Sequence, residues 1–105
     1  MIPEAVLGRQ VDAVLRVLSL YPDKKMTIHD VIRVLAEAEE EAQYVCGFVD
    51  LSQYDDEKEI ITKAIKERGL GSVDEDGRIS ITPIGIEKAK TKLPTPIEQI
   101  LSERK

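Results

Sequence analysis

The chain is short of the residues that most catalytic and metal-binding sites are built from. A single cysteine, Cys46, excludes an internal disulfide and any zinc site made of several cysteines. The only histidine, His29, falls in the first turn of an expected helix, where nothing marks it as a base; tryptophan and asparagine are absent. No phosphate-cradling glycine loop and no residue cluster with metal-ligand spacing occurs in the sequence. A Cys46–His29 nucleophile–base pair would need both side chains at one site, yet at opposite ends of one helix they stand roughly 25 Å apart. The expectation is therefore a non-enzymatic protein with no catalytic residue, metal or cofactor, in which Cys46 is a small core residue.

Long apolar runs are missing as well. Glu4, Arg9, Asp12 and Arg16 break up the apolar-rich first 21 residues, which speaks against a membrane span and a signal peptide and makes the cytoplasm the expected location. Positive charge is the last shortage: 15 Lys and Arg against 20 Asp and Glu leave a net charge of −5. Nucleic-acid binders are usually basic, because neutralising phosphates supplies much of their affinity. An acidic chain can still reach DNA through a local basic patch, so the placement of the charges matters more than their sum. Few thermolabile side chains beside many Lys and Glu is a balance shared with thermophile proteins.

What is present suits one folded domain over 1–105, with 42% hydrophobic and 33% charged residues and length enough for a modest core. A first helix is expected from Pro3 to Tyr21, with Pro3 in the first turn and Pro22 as its stop. Leu7, Val11, Val14, Leu18 and Tyr21 follow the 4-3-4-3 spacing of one apolar stripe, and Val6, Ala13, Val17 and Leu20 make a second. A surface helix needs only one buried stripe. The second is covered either by another subunit or by the C-terminal helices.

Thr27 is a good N-cap for a second helix running to Cys46, with Asp30 placed for the helix dipole. Ile28, Val31, Leu35, Ala38, Ala42, Val45 and Val49 make a heptad pattern whose alanine-rich half would let another helix approach closely. Gly47 is its expected stop. The acidic run Glu37, Glu39, Glu40 and Glu41 beside that stripe reads as a solvated face or as a guide for a basic partner. Val6, Ala13, Val17, Leu20, Ala38, Glu39 and Ala42 are accordingly the candidate protein interface.

Ser52 or Asp55 can cap a third helix ending at Gly69, with Ile61, Ala64, Ile65 and the Arg68 stem inward and a Glu59–Lys63 pair outward. A hairpin follows. A three-residue loop, Glu75-Asp76-Gly77, with Gly77 left-handed sets Val73 across from Ile79, whereas a two-residue loop would set Asp74 there, a poor match for a buried face. Thr82-Pro83 starts a fourth helix carrying Ile84, Ile86 and Ala89 inward as far as Leu93, and Thr95-Pro96 starts a short last one over 95–103.

The order helix, helix, helix, hairpin, helix, with Thr82-Pro83-Ile84-Gly85-Ile86-Glu87-Lys88-Ala89 after the hairpin, resembles the "threonine, proline, any, glycine" junction of small archaeal and bacterial winged-helix domains. The resemblance covers most of Pro3–Leu93. It implies an α+β, mostly α fold: three helices, a β-hairpin wing, then one or two C-terminal helices. It also implies that Tyr54–Arg68 is a recognition helix and Asp74–Arg78 a wing tip. This chain differs from the pattern in its long second helix and in its charges. A recognition helix meets DNA with its N-terminal half. Here that half carries Asp55, Asp56, Glu57 and Glu59 against Lys58 alone, and the wing sets Asp74, Glu75 and Asp76 against Arg78. Lys63, Lys66 and Arg78 are the candidate DNA contacts; Lys88, Lys90 and Lys92, with Lys24-Lys25, are a weaker basic patch. The expected function is a protein-interaction or accessory module in replication, repair or transcription. The alternative is a homodimeric winged-helix transcription regulator that binds DNA.

Overall fold

The computed structural model describes residues 2–90 and 93–104. Its elements are α1 (Glu4–Leu20), β1 (Met26–Thr27), α2 (Ile28–Ala42), α3 (Phe48–Leu51), α4 (Asp55–Glu67), β2 (Gly71–Val73), β3 (Arg78–Ile81), α5 (Pro83–Lys88) and α6 (Thr95–Arg104). The fold is α+β and mostly helical, with one small antiparallel sheet in the order β1-β3-β2.

The helix α1 forms the centre. Val11, Val14, Leu15 and Val17 are fully buried, and α2, α4, α5 and β3 pack around them. Both apolar stripes are covered from within the chain. Tyr21 Oη donates to the Leu101 carbonyl oxygen at 3.2 Å, and the Arg16 guanidinium grips the Glu98 carboxylate with both arms, at 2.8 and 3.1 Å. The same carboxylate accepts from Leu93 N at 2.9 Å. Arg16 and Glu98 are both mostly shielded from solvent, the setting in which a two-pronged ion pair is strongest. Ala13, Val17 and Leu20 are therefore core residues, so of the two covers the sequence left open, a second subunit or the chain itself, the fold supplies its own.

Thr27 and Asp30 close a reciprocal capping box on α2: Thr27 Oγ1 accepts from Asp30 N at 3.2 Å, and Asp30 Oδ2 from Thr27 N at 3.1 Å. The bond from the Thr27 backbone, more than any other influence, holds the Asp30 carboxyl below its ordinary pKa.

The hairpin adopts the three-residue loop. Val73 pairs with Ile79, Gly77 is left-handed at φ 80°, and Asp74 N donates to Arg78 O at 3.0 Å. The Asp74 carboxylate then accepts from Asp76 N and Arg78 N, both at 2.9 Å, and so braces the tip.

Two helices differ from expectation. The helix α2 stops at Ala42, where Gln43 takes a left-handed turn at φ 54°, so Val45 and Val49 leave the heptad; Val45 is 91% exposed and Val49 lies in α3. The fourth helix turns a different face inward. Gly85 and Ala89, one turn apart, are buried, while Ile84 and Ile86 stand 63% and 50% exposed. A Cβ at Gly85 would run into the Leu70 carbonyl oxygen, so the glycine face is the one that lets the backbones meet. That close approach outweighs burying two isoleucines. The helix α5 is shorter than expected: it ends at Lys88, where Ala89 and Lys90 form a turn, instead of running to Leu93. The last helix, α6, buries Ile97 and Leu101 as the spacing predicts.

Candidate interaction face

The first turns of α4 carry three carboxylates, Asp56, Glu57 and Glu59, without an ion pair among the described residues, and their exterior is sorted by one side chain. Lys58 follows three residues after Asp55, on the inward side of the helix, and its aliphatic stem is buried. Its ammonium donates to the Ser52 carbonyl oxygen at 2.7 Å and to Asp55 Oδ1 at 3.3 Å, and lies 3.4 Å from His29 Nδ1. Lys58 is thereby removed from the surface. Asp56, Glu57 and Glu59 face outward with no ion pair among the described residues.

Two apolar side chains stand beside these carboxylates, Tyr54 at 55% and Ile60 at 40% exposure. With Ile2, Gln53, Asp55, Asp56 and Glu57 they line a groove of about 410 Å³. Ile60 sits next to Ile61 but on the other side of the helix from the buried Ile61, Ala64 and Ile65, a placement that helical spacing alone would have given. The inward turn of Lys58 had no such signal.

The candidate DNA contacts divide. Lys63 is exposed and pairs with Glu67 at 3.9 Å rather than with the expected Glu59. Lys66 on α4 and Arg78 on β3 are exposed and free of ion pairs among the described residues. Arg68 does not bury its stem but reaches Glu4 at 2.8 Å. In the weaker patch, Lys88 pairs with Asp12 at 3.4 Å and Lys90 with Glu87 at 3.0 Å, while Lys92 lies outside the described residues. Lys24 rests over the Tyr21 ring.

The candidate protein interface is largely interior. Ala13, Val17, Leu20, Ala38 and Glu39 are buried, and only Val6 and Ala42 are partly open. Glu39 is the clearest correction. Its carboxylate turns inward to accept from the backbone N–H of Cys46, of Gly47 at 2.8 Å and of Val49 at 2.7 Å, and so caps the single turn of α3. Burial, then the Glu39 charge, pushes the Cys46 thiol above its ordinary pKa, which favours its neutral form. His29 and Cys46 are engaged with different partners, Lys58 and Glu39.

A second groove, about 590 Å³, lies between α1 and the α2–α3 connection, with Val6, Ala13, Tyr44, Val45, Cys46 and Phe48 among its walls. Among the described residues no three potential metal ligands cluster, and no helix is long and apolar enough to cross a membrane. Comparison of the chain with protein-family models, with curated proteins and with solved structures finds no match to any of them.

Proposed function

We propose that this chain is a non-enzymatic protein-interaction module of winged-helix type, an accessory subunit or adaptor in replication, repair or transcription. The observation that carries the reading is the burial of the Lys58 ammonium. In the winged-helix arrangement α4 would be the recognition helix, and its N-terminal half presents carboxylates and Ile60 but no free cation to the outside among the described residues. A phosphate backbone brought to that surface meets repulsion. The wing adds to it, because Asp74, Glu75 and Asp76 are all exposed. The three-stranded sheet and helix order are compatible with that fold, and the exposed isoleucines of α5 offer further apolar surface to a protein.

Lys66 and Arg78, exposed and unpaired, support the second reading, a homodimeric DNA-binding regulator. Titration with duplex DNA across a salt series separates the two. The adaptor reading expects little duplex binding at any salt. Tight binding that weakens steeply with salt, and is abolished by Lys63→Glu with Lys66→Glu, would establish the regulator instead.

A further inference from the structure

We infer that the groove between Ile2, Tyr54 and Ile60 is a docking site for a basic amphipathic segment of a partner protein, one that presents an apolar side chain flanked by Lys or Arg. The inference rests on the adaptor reading and names the chemistry of the partner. The exposed apolar side chains of Tyr54 and Ile60 line one groove of about 410 Å³ together with the carboxylates of Asp56 and Glu57. Asp56 and Glu57 lie four and three residues before Ile60, so the helix sets both carboxylates over the same patch. Neither is paired within the chain among the described residues, and the nearest cation, Lys58, is held inward by the Ser52 carbonyl. A ligand that fills the groove must answer unpaired negative charge there.

That requirement selects the occupant. Nucleic acid offers phosphate to the carboxylates and is repelled. A second copy of the chain could offer Lys24-Lys25, but Met26 beyond them is buried and Lys24 lies over its own Tyr21. Among the described residues, the exposed Ile84 and Ile86 of α5 have only Lys88 and Lys90 as basic neighbours along the chain, and both are already paired, with Asp12 and Glu87. A foreign segment with apolar anchors at helical spacing and basic neighbours satisfies both demands, the apolar anchor giving affinity and the charges steering and orienting it.

The test uses the full chain and a short fluorescent peptide of Lys and Leu at helical spacing, read by anisotropy, with a Glu and Leu peptide as its counterpart. The Lys peptide should bind and the Glu peptide should not. Asp56→Lys with Glu57→Lys should weaken binding about tenfold, and Tyr54→Ala with Ile60→Ala about fivefold. Glu75→Lys with Asp76→Lys makes the same change in net charge on the wing and should leave binding within about twofold. Equal losses from the α4 and wing reversals, or no binding of the Lys peptide, would overturn the site. So would a dimer of the free chain that Tyr54→Ala with Ile60→Ala dissociates, which would make a second copy the occupant. A duplex that displaces the peptide would overturn the adaptor reading along with the site, whereas failure of the peptide arms without duplex binding overturns the site alone.

Discussion

Two acidic runs look alike in the sequence and behave in opposite ways in the fold. Glu37–Glu41 and Asp55–Glu59 are each a helical segment in which carboxylates dominate. In the first, three of the four charges are taken up by structure, and only Glu40 stays exposed without an ion pair among the described residues. Glu39 is buried as a cap for the backbone of Cys46, Gly47 and Val49, and Glu37 and Glu41 pair with Arg104 at 3.3 and 2.6 Å, tying α6 to α2. In the second, the residue that turns inward is the cation. Lys58 is buried by a carbonyl oxygen, and Asp56, Glu57 and Glu59 remain outside without an ion pair among the described residues. A charge run is thus not by itself a solvated face or a docking face. What decides is whether nearby backbone groups lack a partner that one of its members can supply. The first run lies beside a helix start short of acceptors, the second beside a connection with an open carbonyl.

The contrast can be broken most directly at Glu39. Glu39→Ala leaves three partly buried N–H groups without their acceptor and should lower unfolding stability by about 2 kcal/mol, seen in urea titration. A loss under about 1 kcal/mol would put Glu39 on the same footing as the outer acids. An acid outside both runs gives a middle value. Asp30→Asn weakens the α2 capping box and should cost about 1 kcal/mol at neutral pH. Because folding lowers the Asp30 pKa, its contribution is present above the unfolded value near 3.8 and is lost as pH falls through the folded one. The stability curves of wild type and variant should therefore converge below about pH 4, and a constant gap down to pH 2 would contradict this account. The exposed acids should matter least. Arg104→Ala, which frees Glu37 and Glu41, should cost about 0.5 kcal/mol and lose even that in high salt. Asp56→Asn with Glu57→Gln should stay within about 0.5 kcal/mol, since relief of like-charge repulsion offsets the lost helix-dipole interaction.

Where a feature is governed by bonds within a few residues, the sequence was a good guide. Thr27 and Thr82 cap the helices they were expected to cap, each accepting from a backbone N–H three residues on. Gly77 brought the hairpin into register, because only one loop length gives a left-handed glycine and a Val73–Ile79 pair at once. The apolar spacing of α1 named most of its buried residues, missing Leu15, but left open whether the chain itself or a second subunit would cover the second stripe. Most of the interface candidates lie in the interior for that reason: apolar periodicity marks a face as buried without saying against what.

The sequence by itself determined the helical stripes, the caps and the turn, since each rests on short-range geometry and one or two hydrogen bonds. Only the tertiary structure decided which face of α5 went inward, where α2 stopped, and which acidic run kept its charge. Gly85 turns inward because the Leu70 carbonyl comes to meet it. Gln43 accepts a left-handed turn at the end of α2, where the Glu39 carboxylate collects donors from the start of α3. These outcomes depend on backbone groups from other elements that need a partner or a close approach, and packing brings those groups together.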